Sequence, residues 1–177
     1  GKDWDDNAKR FAALGWAGAS LGQGLDREWT PDVIHCHDWH ASLAPLLLKT
    51  KRLHEPVFRV ANSVLTIHNI GYQGVFTAAL ADELGLVETG ALISADEPAP
   101  QTLNFLRTGI AAADALTTVS PTHASEILTP AYGKGLDSLL RQRRNRLVGI
   151  LNGVDYSRWD PESDRLLPHT YNAKDTG

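Results

Sequence analysis

Pro31-Asp32-Val33-Ile34-His35-Cys36-His37-Asp38-Trp39-His40 decides the fold. Asp32 to His37 is a short apolar run entered by a proline and reads as a strand. Trp39 to Lys49 then reads as a helix. The same unit recurs downstream. Val64 to His68 is a strand that ends in a loop holding Gly71 and Gly74, Leu103 to Ala113 a helix, and Ala115 to Val119 a strand. Ser120-Pro121 places an N-cap before a proline at the first helical position, opening a helix to about Leu128. Leu136 to Arg144 is a further helix and Leu147 to Leu151 a further strand. Upstream, Asp6 to Leu25 is predicted helical, with Ala8, Phe11, Ala12, Gly15 and Ala19 on one face. Strand and helix alternate throughout. That pattern predicts an α/β, Rossmann-like, mostly parallel sheet with helices on both faces. Ala79 to Gln101, with Pro98 and Pro100, is weakly periodic and reads as a long excursion.

Composition narrows the classes. The 177 residues, 42% hydrophobic and 21% charged, suit one domain of a soluble protein. A net charge of −4 gives no electrostatic case for nucleic acid or an anionic membrane, and no apolar stretch is long enough to span one. The basic run Arg141, Arg143, Arg144, Arg146 reads as the solvated end of a helix, where cations suit the dipole. The lone Cys36 excludes an internal disulfide and fits a reducing compartment, so a cytoplasmic, bacterial location without a signal segment is expected. The chain has no methionine and opens on a helix with no strand before it. The expectation is therefore an excerpt. Residues 1–157 would be the later part of an N-terminal domain whose first strand or strands are missing, and 158–177 a linker.

In parallel sheets the ligand crevice lies outside the carboxyl ends of the strands. Here those ends carry His37-Asp38, His68-Asn69, Ser120 and Asn152-Gly153-Val154-Asp155. Any one could merely cap a helix; four together point to a site for a hydroxyl-rich ligand. His35, His37, Asp38 and His40 raise a metal reading, since histidines at i and i+2 on a strand share a face. The common hydrolase spelling is H-x-H-x-D-H, whereas the chain reads H-C-H-D-W-H, with the carboxylate one position early. His35 and His40 are better read as packed and hydrogen-bonded. The phosphate-loop and dinucleotide signatures do not occur in the sequence, and no serine elbow stands at a strand-to-helix turn: the spelling G-x-S-x-G at Gly18-Ala19-Ser20-Leu21-Gly22 falls inside the predicted first helix.

His37-Asp38-Trp39-His40, Thr66-Ile67-His68-Asn69 with Tyr72-Gln73-Gly74, Thr118-Val119-Ser120-Pro121-Thr122, Ile150-Leu151-Asn152-Gly153-Val154-Asp155 and Trp159-Asp160-Pro161 together resemble the bacterial glycogen and plant starch synthases. The helix containing Phe11, Leu14, Gly15 and Trp16 is also similar, so the resemblance covers nearly the whole chain. It implies the acceptor-side half of a two-domain GT-B glycosyltransferase. The reaction implied is retaining transfer of glucose from a nucleotide sugar, ADP-glucose in most bacterial members, to the non-reducing end of an α-1,4-glucan, with no cofactor and no metal. His68 matches the family's catalytic histidine beside the anomeric carbon; Asp38 and Asn152 match residues of the glucose pocket. Asn69, Tyr72, Gln73 and Asp155 join them as expected substrate-binding residues. The partners implied are the nucleotide sugar, the glucan, the missing N-terminal strand and an absent C-terminal domain, with neither nucleic acid nor membrane.

Two departures stand out. The family's Lys-x-Gly-Gly-Leu motif does not occur in the chain, and the groups that hold the diphosphate would lie beyond Gly177. The stretch before Asn104-Phe105-Leu106 also lacks the acidic-aromatic-glycine text usual there. Alternatives are another nucleotide-sugar transferase of the same architecture, such as a sucrose- or trehalose-forming one, a metal-dependent hydrolase on His35 and His37, and a non-catalytic glucan-binding module.

Overall fold

A computed structural model describes residues 4–26, 28–54, 61–86 and 102–175. In chain order the elements are α1 (Asn7–Gly22), β1 (Val33–His37), α2 (Asp38–Ala41), α3 (Leu43–His54), β2 (Asn62–Ile67), β3 (Val75–Thr77), α4 (Leu80–Glu83), β4 (Thr102–Asn104), α5 (Phe105–Ala112), β5 (Ala115–Thr118), α6 (Pro121–Glu126), α7 (Asp137–Gln142), a 3-10 turn at Arg144–Arg146 and β6 (Leu147–Gly149). The strands β1-β2-β5-β6 form one sheet in that order, every pair parallel. Most of the excursion expected over 79–101 lies outside the described residues.

Registry puts Cys36, Leu65 and Leu116 on one side of the sheet and His37, Thr66 and Thr117 on the other. The first side is sealed. Leu65, Ile67 and Leu116 are fully buried with Leu43, Leu46 and Leu48 of α3 and Phe105, Leu106 and Ile110 of α5. On the second side Val33, His35, His37 and Val148 are exposed. The parallel α/β reading is met, but the tight packing among the described residues falls on one face rather than both.

Four local expectations need correction. The helix expected over Trp39 to Lys49 is two helices, Asp38–Ala41 and Leu43–His54, parted by a single turn residue, Ser42, whose own backbone stays helical at φ −66° and ψ −17°. Leu103 and Asn104 are not helical: Thr102–Asn104 pairs antiparallel with Val75–Thr77, and Asn104 then caps α5 by accepting the Arg107 N–H at 2.9 Å. The last helix stops at Gln142 and gives way to the 3-10 turn. The basic run is not simply solvated. Arg141 pairs with Asp137 at 2.7 Å, while the half-buried Arg143 donates to the Ala113 carbonyl just past α5, and Lys49 donates to Ala111 O at 3.2 Å. These cations satisfy carbonyls that a helix end leaves open. The Ser120 cap is as expected, its hydroxyl accepting the His123 N–H at 2.9 Å.

Behind the sheet, Asp114 ties β2, α3 and β5. It accepts Arg52 Nη1 at 2.7 Å and Nη2 at 3.0 Å, the Ser63 N–H at 2.7 Å and the Ser63 hydroxyl at 2.9 Å. Burial alone would push this carboxyl up, but the Arg52 guanidinium and the Ser63 donors outweigh it and hold it below its ordinary 3.8. A depressed carboxylate stabilises the fold above its unfolded pKa, and that contribution fades as pH falls through the lower folded value. Asp114→Ala is expected to cost about 2 kcal/mol at neutral pH by removing charged hydrogen bonds. Urea unfolding at pH 7 and again below pH 3 checks it, since the gap between wild type and variant should narrow in acid.

Candidate functional site

The carboxyl ends of β1 and β2 meet at Asp38. Its Oδ1 accepts the His68 N–H at 2.7 Å and the Asn69 N–H at 3.5 Å, so one carboxylate holds the backbone of the neighbouring strand's exit. The left-handed backbone aims the side chain there and stores modest strain, a feature concentrated at functional sites. The Ser42 hydroxyl donates to Asp38 O at 2.8 Å and fixes the turn from behind. Gly109 of α5 is what lets that turn sit so close, because a Cβ there would come within 2.7 Å of Ser42 Cβ.

Beyond β2, Asn69 Oδ1 accepts the Gly71 N–H at 2.9 Å and curls the chain into a tight loop. Gln73 locks the loop's far end: its Nε2 donates to Ile70 O at 3.2 Å and Lys134 O at 3.0 Å, and its Oε1 accepts Asn104 Nδ2 at 2.7 Å. A groove of about 700 Å³ opens between this loop and the start of α1, in the size range of small-molecule sites. Asp38, Asn69, Tyr72 and Gln73 line it, together with Trp4, Asn7, Trp39, His40 and Phe76. Its floor is aromatic. Trp39 packs edge-on to Phe11 at 4.8 Å and lies beside His40 at 4.1 Å, while Phe76 meets Phe105 at 4.9 Å. Tyr72 and Trp4 remain largely exposed above it, 67% and 71% accessible. Exposed rings over a polar rim suit the apolar faces and hydroxyl edges of sugars.

Of the seven expected site residues, Asp38, Asn69, Tyr72 and Gln73 therefore share the groove, and His68 adjoins it through Asp38. Gln73 has its amide engaged within the fold, so its part is to shape the wall. Asn152 and Asp155 are not brought there. They lie in the exposed segment after β6, where Asp155 accepts the Ser157 hydroxyl at 2.6 Å and N–H at 3.0 Å. Those bonds hold the Asp155 carboxyl below its ordinary value. Trp4, Asn7 and Phe76 are lining residues that spacing did not mark; the aromatic Trp4 just ahead of α1 is the nearest thing to a signal.

The histidines differ from expectation in part. His35 Nε2 is hydrogen-bonded to Thr66 Oγ1 at 2.7 Å, yet the residue is exposed rather than packed. His40 is packed, between Trp39 and Phe11. His37 Nδ1 lies 2.9 Å from His68 Nε2. Among the described residues no three His, Cys, Asp or Glu side chains converge as metal ligands would. Cys36, between the two strand histidines, faces the core, and burial pushes its thiol up to about 11. It is too weakly ionised to act as a nucleophile. Thiol reagents at pH 8 should label it only on unfolding; fast labelling of the folded protein would contradict its burial.

Comparison with known proteins gives one answer. A family model described as "Starch synthase catalytic domain" matches residues 1–142. The glycogen synthase of Albidiferax ferrireducens is 52% identical over 171 residues, covering 97% of this chain and 34% of the relative. That of Rhodopseudomonas palustris is 46% identical over 177 residues, covering 100% and 36%. Among solved structures, the catalytic domain of starch synthase IV from Arabidopsis thaliana, bound to ADP and acarbose, superposes with a TM-score of 0.77 at 34% identity, covering 98% of this chain and 35% of that one. The chain thus spans about a third of the length of the relatives it matches. It belongs to the starch synthase catalytic domain family.

Proposed function

We propose that this chain forms part of a retaining GT-B-type glucosyltransferase that moves glucose from ADP-glucose to the non-reducing end of an α-1,4-glucan. The observation that carries the reading is Asp38 joining two strand ends so that His68 and Asn69 stand together beside an aromatic-floored groove. Such transfers build positive charge at the anomeric carbon and negative charge on the departing phosphate. Preorganised dipoles at a rim of this kind stabilise both. His68 is the catalytic residue of this scheme, its side chain beside the reacting sugar; Asp38, Asn69 and Tyr72 bind substrate. Asn152 and Asp155 belong to the same site only once the exposed segment that carries them is folded against a ligand or a further domain. The ADP and acarbose held by the Arabidopsis relative are in keeping with a nucleotide-sugar donor and a glucan acceptor.

Residues 1–157 are read as the later part of the acceptor-side domain and 158–177 as a linker. In support, the last strand ends at Gly149 and the described residues from 150 to 175 form neither helix nor strand. A cytoplasmic, bacterial setting accords with the buried free thiol and the bacterial relatives. No helix of the described residues is long and apolar enough to cross a membrane.

The test is elongation of glycogen by a full-length protein carrying this sequence, with ADP-glucose and UDP-glucose supplied separately. Transfer from ADP-glucose, giving product cleaved by an α-1,4-specific glucosidase, is expected. No transfer from either donor would sink the reading. The isolated 177 residues should show none, because positioning shared between two domains is lost with either wall.

A further inference from the structure

Three imidazoles climb the open side of the sheet to its rim. His35 and His37 stack along β1 with ring centroids 4.3 Å apart and planes tilted by 33°, and the His68 ring follows 5.2 Å from that of His37. The lower end is anchored, because His35 Nε2 bonds Thr66 Oγ1, which in turn lies 2.6 Å from Thr117 Oγ1. At the upper end the 2.9 Å contact between His37 Nδ1 and His68 Nε2 needs one N–H and one lone pair, so each ring dictates the other's tautomer.

We propose that His37 is a positioning residue for His68: by accepting the His68 Nε2–H at its own Nδ1, it fixes the ring's orientation and tautomer and leaves His68 Nδ1 as the acceptor for a sugar hydroxyl. This rests on the glucosyltransferase reading for its ligand, but not for the hydrogen bond itself. The direction of the bond follows from ordinary imidazole chemistry. With His68 as donor, both rings carry their proton on Nε2, the intrinsically favoured form; the opposite direction would force both into the disfavoured one. Partial desolvation against the sheet face, reinforced by His35 and His68, lowers the pKa of the otherwise exposed His37 against the opposing pull of Asp38, a direction that favours the neutral acceptor. The main chain of His68 is held separately by Asp38. Two consecutive residues at the end of β1 thus set the two halves of His68, the carboxylate its backbone and the imidazole its ring.

Removing an outer-shell partner that orients a functional imidazole typically costs about 10–100-fold in ligand affinity or activity, as known for metal-binding histidines. In a full-length protein labelled with ¹⁵N-histidine, His68 Nε2 is expected to carry a proton whose downfield resonance survives exchange with water; its absence from His68→Ala assigns it. His37→Ala should lose that resonance and about tenfold in kcat with little change in donor KM. His37→Asn, whose side-chain oxygen can stand in for Nδ1, should keep the resonance and recover most of the turnover. Because His37 is exposed, both variants should fold, which their unfolding curves check. A His68 Nε2 without a proton in the wild type, a resonance unchanged in His37→Ala, or an unchanged kcat in His37→Ala would each overturn the proposal. If no variant transfers glucose, the transferase reading fails, and the resonance alone decides whether His37 sets the His68 ring.

Discussion

His68→Ala in a full-length protein carrying this sequence is expected to lower kcat by about 10²–10³, the usual cost of one preorganised contact to a developing charge. Donor KM should rise only modestly, because a group that bonds the sugar as it distorts matters more in the transition state than in the ground state. The alternative is that His68 merely completes the turn after β2. The structure separates the two roles. The turn is held by the His68 N–H on Asp38 and by Asn69 on the Gly71 N–H, and alanine keeps both bonds. What it removes is the imidazole and its contact with His37. A folded variant with near-normal stability and a collapsed kcat is therefore the expected result. Steady-state rates together with a melting curve decide it, and near-wild-type kcat would end the catalytic assignment.

The same separation explains what the sequence could and could not show. The four parallel strands were legible because each is a short run rich in β-branched residues with a polar stop, and Ser120-Pro121 marks a helix start by cap chemistry alone. Asp38 and His68 could be placed at the rim for that reason: strand ends are local features. Their mutual bond was not legible, because it joins residues 30 apart. The i, i+2 spacing of His35 and His37 speaks only of a shared strand face. It is silent about His68, which supplies the actual partner of His37. β3 and β4 escaped for a related reason: each has three residues, and each exists only because the other lies opposite. The left-handed backbone of Asp38 is likewise something no periodicity announces. The aromatic cluster beneath the groove is the least local feature of all, since Trp39 and Phe76, which line it, and Phe11 and Phe105, which pack behind them, come from four different elements.

Gly74→Ala is expected to be the most damaging small change in the site. Gly74 has a φ of +61°, which alanine adopts only under strain. A Cβ built there would come within 2.2 Å of Trp39 Cε3 and 2.7 Å of Cδ2, far inside contact distance. Trp39 cannot easily give way. It is buried, with Phe11 edge-on at 4.8 Å, His40 at 4.1 Å, and Phe76 and Phe105 at 5.9 Å and 6.4 Å. Nor can the loop withdraw freely, because Gly74 O accepts the Phe105 N–H at 3.0 Å and Gln73 O accepts the Leu106 N–H at 3.0 Å, pinning the strand entry to the start of α5. Backbone strain and overpacking each cost about 1–3 kcal/mol, so a combined loss of about 3 kcal/mol is expected. The damage should also reach the groove, because Tyr72 and Gln73 are carried on the same loop. Gly71→Ala is the control: its added Cβ would meet only Asn69 Oδ1, at 3.1 Å, and its φ is not in the left-handed region. Unfolding curves of the two variants, with tryptophan near-ultraviolet dichroism to follow Trp39, test the argument. Equal stabilities would show that Trp39 can move aside and that the loop is not built around the missing side chain of Gly74.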